Sequence, residues 1–292
     1  MDFRDQVVVV TGASSGIGWV TARAFAERGA VVVAVARRQE RLERLLELCR
    51  ESSPRSEYRA GDLGVRAFAE QVIDETATRH GRIDVLVNNA AITKHKQIYH
   101  TSVDEAEQVM RVNFLSCVWT SFAAIPYMLR EGGGTIVNVS SFAGRIVPPR
   151  EALYAASKAA VNAFTEGLWN ELEGSKIHAA LVIPGAIDTE SWDKLDEAPA
   201  FQGKKAPPEV VTDAIFEAIE KRRREITVPK RKLDLMAARL LRFVAPGLLR
   251  LGMRRMDPVP AEVIERARGS ARRGERLGGP ADDREGKPPG AG

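Results

Sequence analysis

The sequence is poor in the residues that build metal centres and disulfides. Its 292 residues include only two cysteines and four histidines. Cys49 and Cys117 lack C-x-x-C spacing, and the histidines form neither an H-x-x-x-H nor an H-E-x-x-H pattern. We therefore expect no metal cofactor and two buried thiols in a reducing compartment.

An excess of one charge sign is also missing. There are 43 Lys and Arg residues against 39 Asp and Glu residues, a net charge of +4, with both signs interspersed along most of the chain. Nucleic-acid binding needs a concentrated basic face, and we expect no nucleic-acid partner. The first residues are too charged for a signal peptide, and no apolar run of membrane-spanning length is evident. These features predict a cytoplasmic protein.

A glycine-rich turn stands between a short strand and a helix near the N-terminus. The run 7–10 is four valines, typical of a strand buried on both faces, and a helical pattern extends to Arg28. Between them lies Thr-Gly-Ala-Ser-Ser-Gly-Ile-Gly, with glycines at 12, 16 and 18. This order of elements indicates a phosphate site at a helix N-terminus, although a purely structural turn remains open on spacing alone. Because no Gly-Lys-Ser/Thr ending follows, a P-loop NTPase is disfavoured.

A second predicted strand, 30–36, ends at Arg37 and Arg38. Sites specific for NAD place an acidic residue in this neighbourhood, whereas two guanidinium groups suit a 2′-phosphate. We therefore predict NADP(H) as cofactor in preference to NAD(H). The alternative is that Arg38 and Arg41 merely open a solvated helix.

Tyr154 and Lys158 lie four residues apart in a run that reads as a helix. Four residues make about one turn, so both side chains project from one face. A neighbouring ammonium favours the phenolate, and work at neutral pH needs the pKa of the tyrosine lowered by roughly 2–3 units. On ordinary solvent-facing helices such a pair has no function, so the upstream motifs decide its meaning.

Several motifs together give the sequence a clear resemblance to one family. They are Thr11-Gly-x-x-x-Gly-x-Gly18, Asp62-Leu63, Asn88-Asn89-Ala90, Asn113, Ser141, Tyr154-x-x-x-Lys158 and Pro184-Gly185. In this order and spacing the chain resembles the short-chain dehydrogenase/reductase family over residues 5 to 230. Ala91 departs from the family pattern, which has glycine there, and we expect a slightly altered turn with cofactor binding retained.

The resemblance implies a fold and a set of cofactor contacts. The fold is α/β and Rossmann-type, with a doubly wound, mostly parallel seven-stranded sheet and helices on both faces. The implied cofactor-binding residues are Gly12, Ser14, Ser15, Gly16, Ile17, Gly18, Arg37, Arg38, Asp62, Leu63, Asn89, Ala90, Tyr154, Lys158, Pro184, Gly185, Ile187 and Thr189. For Asp62 and Thr189, capping a following helix is the alternative.

The resemblance also implies a catalytic set of four residues. Ser141 would hydrogen-bond a carbonyl oxygen, and Tyr154 would donate the proton. Lys158 would lower the pKa of the tyrosine and bind the nicotinamide ribose, while Asn113 would complete a proton path to solvent. The adjacent Ser140 is expected to be structural.

The C-terminal part divides into three regions. Residues 190–208 form a long polar connector in which Trp192, Leu195 and Phe201 either close over a lipophilic substrate or merely dock the loop. We place the catalytic domain at 1–229, followed by a basic amphipathic extension at 230–256 and a low-complexity, partly disordered tail at 257–292. The extension is expected to pack on its own domain or on a second subunit in preference to a membrane surface.

Three functions are weighed for the whole chain. The first is an NADP(H)-dependent oxidoreductase acting on a small, hydrophobic ketone, aldehyde or alcohol. The second is a cofactor-binding regulator or scaffold with little turnover, which would have no need of a proton relay. The third, a nucleotide-sugar epimerase or dehydratase, normally requires a larger C-terminal substrate domain. Family habit implies a homodimer or homotetramer.

Overall fold

Seven strands form one parallel sheet at the centre of the chain. A computed structural model describes residues 2–195 and 203–229 and, further on, 237, 240–241, 243–256, 262 and 264–265. The strands are β1 Val7–Thr11, β2 Val31–Ala36, β3 Glu57–Ala60, β4 Val85–Asn88, β5 Gly134–Val139, β6 Ile177–Pro184 and β7 Glu225–Val228. Their order is β3-β2-β1-β4-β5-β6-β7, and every pair is parallel.

Helices cover both faces of this sheet. They are α1 Gly16–Ala26, α2 Gln39–Ser52, α3 Arg66–His80, α4 Val103–Met110, α5 Ser116–Arg130, α6 Ala152–Glu171, α7 Glu209–Glu220 and α8 Pro246–Met256. One apolar core lies on the α1, α2 and α7 side, and a second lies on the α3 and α5 side. Because both faces are covered, the valine-rich strands β1 and β2 are buried at every position. The expected doubly wound fold is confirmed.

The strand order reverses between β1 and β4. After β1 the chain builds outward to β2 and β3, then returns to place β4 on the other side of β1. Ligands of open α/β sheets bind beyond the carboxyl ends of the strands at such a switch point. The glycine turn after β1 and the Asn88-Asn89 segment at the end of β4 therefore meet at one edge.

The segment predicted as one long helix from 103 to 130 contains an irregular turn. Helix α4 passes into a π-helical turn, Arg111–Leu115, which continues into α5. Contrary to the expectation from sequence, Val103–Arg130 is long and apolar enough to cross a membrane by length and composition. Its Ser116 and Thr120, however, are buried in the fold, and Thr120 hydrogen-bonds Asn88 of β4. The apolar character of this segment is that of a core helix.

A buried polar network joins the middle of the sheet to the helices. Asn88 and Asn138 are register partners on β4 and β5, and Asn88 Nδ2 donates to Asn138 Oδ1 over 2.9 Å. Asn138 Nδ2 donates to Thr165 Oγ1 of α6 over 2.9 Å, and Thr120 Oγ1 donates to Asn88 Oδ1 over 2.7 Å. Because each buried amide has partners, the network carries little of the cost of burying polar groups.

The C-terminal extension is partly described. Residues 240–241 and 243–244 are helical, the helix breaks at Ala245 as the sequence indicates, and α8 begins at Pro246. Phe243 and Leu248 are 79% and 63% exposed. Residues 230–236, the greater part of the tail 257–292, and Phe201 lie outside the described residues, so the three-part division stays a prediction.

Candidate active site

The turn after β1 requires glycine at two positions. Gly12 has a φ of +69°, and a Cβ atom there would lie 2.8 Å from the Cα atom of Ala90. A Cβ atom on Gly18 would lie 2.3 Å from the Gly12 carbonyl oxygen, closer than any side chain can come. These contacts hold the N-terminus of α1 against the end of β4, so its unpaired N–H groups border the edge of the sheet.

Thr11 joins the ends of β1 and β4. Its Oγ1 accepts hydrogen bonds from the backbone N–H groups of Asn89 and Ala90, at 2.9 and 3.0 Å, and donates to Val87 O at 3.2 Å. The Asn89 amide donates back to Thr11 O over 3.0 Å. Ala91 is absent from the residues with positive φ in the described chain, so the turn accommodates alanine without backbone strain.

A groove of about 480 Å³ runs over this turn. It collects eight predicted cofactor residues: Gly12, Ser14, Ser15, Arg37, Arg38, Asp62, Leu63 and Ala90. The alternative role of Asp62 as a helix cap is wrong, because α3 begins four residues later at Arg66 with Val65 at its N-cap. The Asp62 carboxylate instead accepts from Gly64 N over 2.9 Å.

The arginines at the end of β2 differ in their contacts. Arg37 is exposed in the groove. Arg38 donates to Ser14 Oγ at 3.2 Å and to Glu190 Oε2 at 3.1 Å, and Arg41 is hydrogen-bonded to the same carboxylate. Arg38 and Arg41 do open α2, at its N-cap and in its first turn, and both also tie the helix to the connector after β6.

A second cavity, of about 220 Å³, adjoins the groove. Thr93 and Ser191 line both spaces. Seven predicted site residues line the second cavity: Ile17, Ser141, Tyr154, Pro184, Gly185, Ile187 and Thr189. Apolar side chains, including Phe142, Pro148, Trp192 and Leu195, form much of its remaining wall. The cavity therefore suits a ligand with an apolar body.

Ser141 and Tyr154 both line this second cavity, and the Ser141 hydroxyl is near enough to lower the pKa of the phenol. Ser141 Oγ also accepts from Ala143 N over 3.2 Å, in the short turn that follows β5. Ser140 faces the other way, is 4% exposed, and donates to Lys158 O over 3.1 Å. The structural role expected of Ser140 agrees with these contacts.

The expected lowering of the tyrosine pKa is not what the structure gives. Burial raises the pKa of Tyr154 to about 12, although the Ser141 hydroxyl opposes the rise; the Glu151 carboxylate adds to it. Lys158 Nζ lies 6.0 Å from the centre of the Tyr154 ring. Desolvation of the buried phenol, which the spacing of Tyr154 and Lys158 does not reveal, is the largest effect on its pKa.

Lys158 is buried near Tyr154, which lines the second cavity. It is 2% exposed, and its ammonium donates to Val139 O over 2.9 Å. Burial lowers the pKa of Lys158 to about 8. The lysine therefore keeps its charge at neutral pH while lying within one turn of Tyr154 on α6.

Asn113 lies in the π-helical turn and is 2% exposed. Its Oδ1 accepts from Ile92 N over 2.8 Å, while its Nδ2 donates to Ile92 O and Ser157 Oγ, both over 3.0 Å. The side chain is thus fully engaged with the loop after β4 and with α6. Irregular π-helical turns inside α-helices often mark functional positions.

The connector after β6 contributes to the cavity wall. Thr189 stands before the short helical turn Glu190–Lys194 without capping it, and its hydroxyl is hydrogen-bonded to Ser191 Oγ over 2.7 Å. Trp192 Nε1 donates to Ile187 O over 2.6 Å, and the ring lines the cavity. Trp192 therefore both docks the loop and faces the cavity, which the sequence treated as alternatives.

Two cavity residues escaped the sequence reasoning. His95 Nε2 lies 2.8 Å from Glu151 Oε1, and both side chains line the cavity. The spacing of the histidines bears only on metal binding and says nothing about a cavity role of His95. Its position six residues beyond Asn89, in the loop that follows β4, is the signal that could have placed it at the active edge.

The arrangement of these residues defines a class of protein. A dinucleotide-type turn, a hydroxyl pair and a buried lysine at one edge of a parallel sheet are the parts of a nucleotide-dependent oxidoreductase. The family model described as short chain dehydrogenase matches residues 6–200. The chain belongs to the short-chain dehydrogenase family of oxidoreductases.

Individual relatives support this assignment. Oxidoreductase YxnA of Bacillus subtilis is 34% identical over 233 residues, which are 77% of this chain and 65% of the relative. The 11-beta-hydroxysteroid dehydrogenase 1A of Arabidopsis thaliana is 40% identical over 187 residues, 63% of this chain and 53% of the plant protein. The chain thus spans just over half to two thirds of these two relatives. A short-chain dehydrogenase from Sphingobium yanoikuyae, solved in complex with NADPH, superposes with a TM-score of 0.72 at 27% identity, covering 95% of this chain and 99% of that one.

Proposed function

We propose that the protein is an NADP(H)-dependent carbonyl reductase or secondary-alcohol dehydrogenase acting on a hydrophobic ketone, aldehyde or alcohol. The observation that carries the proposal is that Ser141 and Tyr154 together line an apolar cavity that adjoins the dinucleotide groove. A nicotinamide cofactor held in the groove would supply or accept the hydride.

In reduction, the two hydroxyls act on one substrate oxygen. Ser141 donates a hydrogen bond to the carbonyl oxygen and fixes its position. Tyr154, held protonated by its raised pKa, gives its proton to the oxygen as negative charge develops there. In oxidation the phenolate removes the proton from the alcohol. We assign Lys158 to the ribose hydroxyls and to proton supply, and Asn113 to the positioning of the loop beside them.

The residues of the groove fit a phosphorylated dinucleotide. The N-terminus of α1 and the close approach at Gly12 and Gly18 suit a pyrophosphate, while the exposed Arg37 suits a 2′-phosphate. The NADPH complex of the Sphingobium protein supports the same choice. Arg37→Asp should shift the ratio of kcat/KM for NADPH over NADH by at least about tenfold towards NADH. Arg44→Asp, the same charge change on the exposed face of α2, is the control and should leave the ratio unchanged.

The decisive experiment for the activity is removal of the phenolic proton. Tyr154→Phe should bind NADPH with nearly the wild-type Kd and lose about 10²–10⁴-fold of kcat in NADPH oxidation with a panel of ketones. Tyr127→Phe removes an exposed hydroxyl, bonded to Asp74 over 2.9 Å, and should retain the activity. If the wild type binds NADPH and turns over no carbonyl compound, the hypothesis of a cofactor-binding regulator or scaffold replaces this proposal.

The assembly proposed is a homodimer or homotetramer in the cytoplasm. On α5, Phe122 and Leu129 are 61% and 50% exposed, and apolar side chains of this size are common at contacts between subunits. Phe122 stacks edge-on to Phe164 of α6, at 6.0 Å between ring centres. Light scattering coupled to size exclusion gives the mass in solution, and a monomer would remove this part of the proposal.

A further inference from the structure

His95 lies beside two of the aromatic rings that line the second cavity. Its ring centre lies 6.4 Å from that of Tyr154, with 28° between the planes, and 5.9 Å from that of Trp192. The residue is 5% exposed and lines the cavity together with Ser141 and Tyr154. A polar ring therefore stands in a largely apolar wall, beside the proposed proton donor.

The hydrogen bonding of His95 is incomplete. Its Nε2 lies 2.8 Å from Glu151 Oε1, so the carboxylate holds a proton on Nε2. Flipping the ring would put a carbon atom against the carboxylate, so this orientation is the one that the pair supports. The other nitrogen, Nδ1, is buried and has no hydrogen-bond partner among the described residues. Buried polar atoms are rarely left unpaired, and such an atom in a ligand cavity indicates a partner on the ligand.

We propose that His95 is a substrate-binding residue whose Nδ1 accepts a hydrogen bond from a hydroxyl or amide N–H of the substrate. The inference rests on the proposed function and names its substrate class: an apolar carbonyl compound, or the corresponding alcohol, that carries a second hydrogen-bond donor. The reacting oxygen binds Ser141 and Tyr154, and the second group binds His95.

The negative charge of Glu151 further limits the class of substrates. Its side chain is 12% exposed and lies on the same cavity wall as His95. A substrate carboxylate beside this group would meet a like charge in a poorly hydrated space, which is unfavourable. The substrate group that binds His95 is therefore expected to carry no negative charge.

A matched set of small ketones tests the assignment. The probes are acetophenone, its three ring-hydroxylated isomers and 3-acetylbenzoate, assayed with NADPH in neutral buffer, where the phenols are largely protonated. At least one hydroxylated isomer should exceed acetophenone by about tenfold in kcat/KM, the effect of one good hydrogen bond. In His95→Leu that ratio should fall to about one, and His95→Gln, which keeps an acceptor, should restore part of it.

Two further variants are controls. One tests whether loss of any histidine from a His–Glu pair has the same effect, and the other tests the effect of the Glu151 charge. His80→Leu removes the histidine of a second His–Glu pair, 3.1 Å from Glu57 and outside the cavity, and should keep the wild-type ratio. Glu151→Gln should raise kcat/KM for 3-acetylbenzoate relative to acetophenone by about tenfold.

The outcomes distinguish this inference from the function on which it rests. A Tyr154-dependent ketone reductase without preference for any hydroxylated isomer, or with a preference that survives His95→Leu, overturns the role of His95 alone. Absence of turnover with every ketone in the wild type overturns the proposed reductase and this inference together.

Discussion

The side chain of Asn113 hydrogen-bonds both backbone polar groups of Ile92. Its Oδ1 accepts from Ile92 N over 2.8 Å, and its Nδ2 donates to Ile92 O over 3.0 Å. The π-helical turn between α4 and α5 thereby fixes the loop that follows β4. That loop places Thr93 and His95 in the wall of the second cavity.

Asn113→Ala should cost both stability and activity. The change removes three hydrogen bonds and leaves the Ile92 backbone groups unpaired, a loss of about 2–4 kcal/mol in the free energy of unfolding. Urea denaturation measures this loss, and kcat should fall because the loop is no longer held. Asn170→Ala, at an exposed position near the end of α6, should change stability by no more than about 0.5 kcal/mol. Similar losses in the two variants would contradict the anchoring role.

The raised pKa of Tyr154 predicts a pH profile for each direction of the reaction. Because burial raises this pKa to about 12, the phenol stays protonated at and around neutral pH. Reduction uses the protonated form, so kcat/KM for a ketone should be flat between about pH 6 and 8. Oxidation uses the phenolate, so log kcat/KM for an alcohol should rise with a slope of about one over that range. A plateau in oxidation near neutral pH would show that the tyrosine titrates there instead.

The lowered pKa of Lys158 predicts a stability that depends on pH. The pKa falls from 10.5 to about 8 on folding, so between these values the unfolded chain binds more protons than the folded one. Stability from this group therefore rises with pH across that window and is lowest below about pH 8. Relative to Lys158→Met, the wild type should gain about 2 kcal/mol between about pH 7.5 and 9.5, measured by urea denaturation. Parallel pH curves for the two proteins would exclude a desolvated ammonium.

Glu190 is expected to weaken the binding of a 2′-phosphate. Its carboxylate accepts from Arg38 over 3.1 Å and is also paired with Arg41, beside the groove. Since the pairs are partly exposed, we expect Glu190→Gln to tighten NADPH binding about two- to fivefold and to leave NADH unchanged. Calorimetric titration at low and high salt should show the gain shrinking as salt rises. Asp193→Asn, an exposed change in the same turn, is the control. An equal gain in NADPH affinity in this variant would show that Glu190 acts only through the overall surface charge.

The motifs predicted where the active edge lies, because their positions follow from chain order. Gly12 and Asn89 follow adjacent strands, and the carboxyl ends of parallel strands share one edge. Ser141 follows β5 in the same way, and the spacing of Tyr154 and Lys158 within α6 is local. Positions at strand ends and spacings within one helix can therefore be predicted from the sequence alone.

The contacts that the sequence could not give depend on loops and on burial. His95 and Glu151 lie 56 positions apart and meet only because two irregular segments fold over the cavity. The π-helical turn at Asn113 has no propensity signal of its own, and the pattern from 103 to 130 reads as continuous helix. The pKa of Tyr154 was predicted in the wrong direction because desolvation depends on the neighbours of a side chain in space.

The paired amides of Asn88 and Asn138 restrict which sheets this chain can form. A run of valine, leucine and isoleucine in β4 and β5 would tolerate slippage, since any offset of two residues returns apolar side chains to the same faces. Only the observed pairing of Asn88 with Asn138 gives each carboxamide its neighbour at 2.9 Å. A slipped pairing would lose this bond between the two buried amides. The polar cluster thus favours the one register of β4 and β5 that brings Asn89 and Ser141 to the same edge of the sheet.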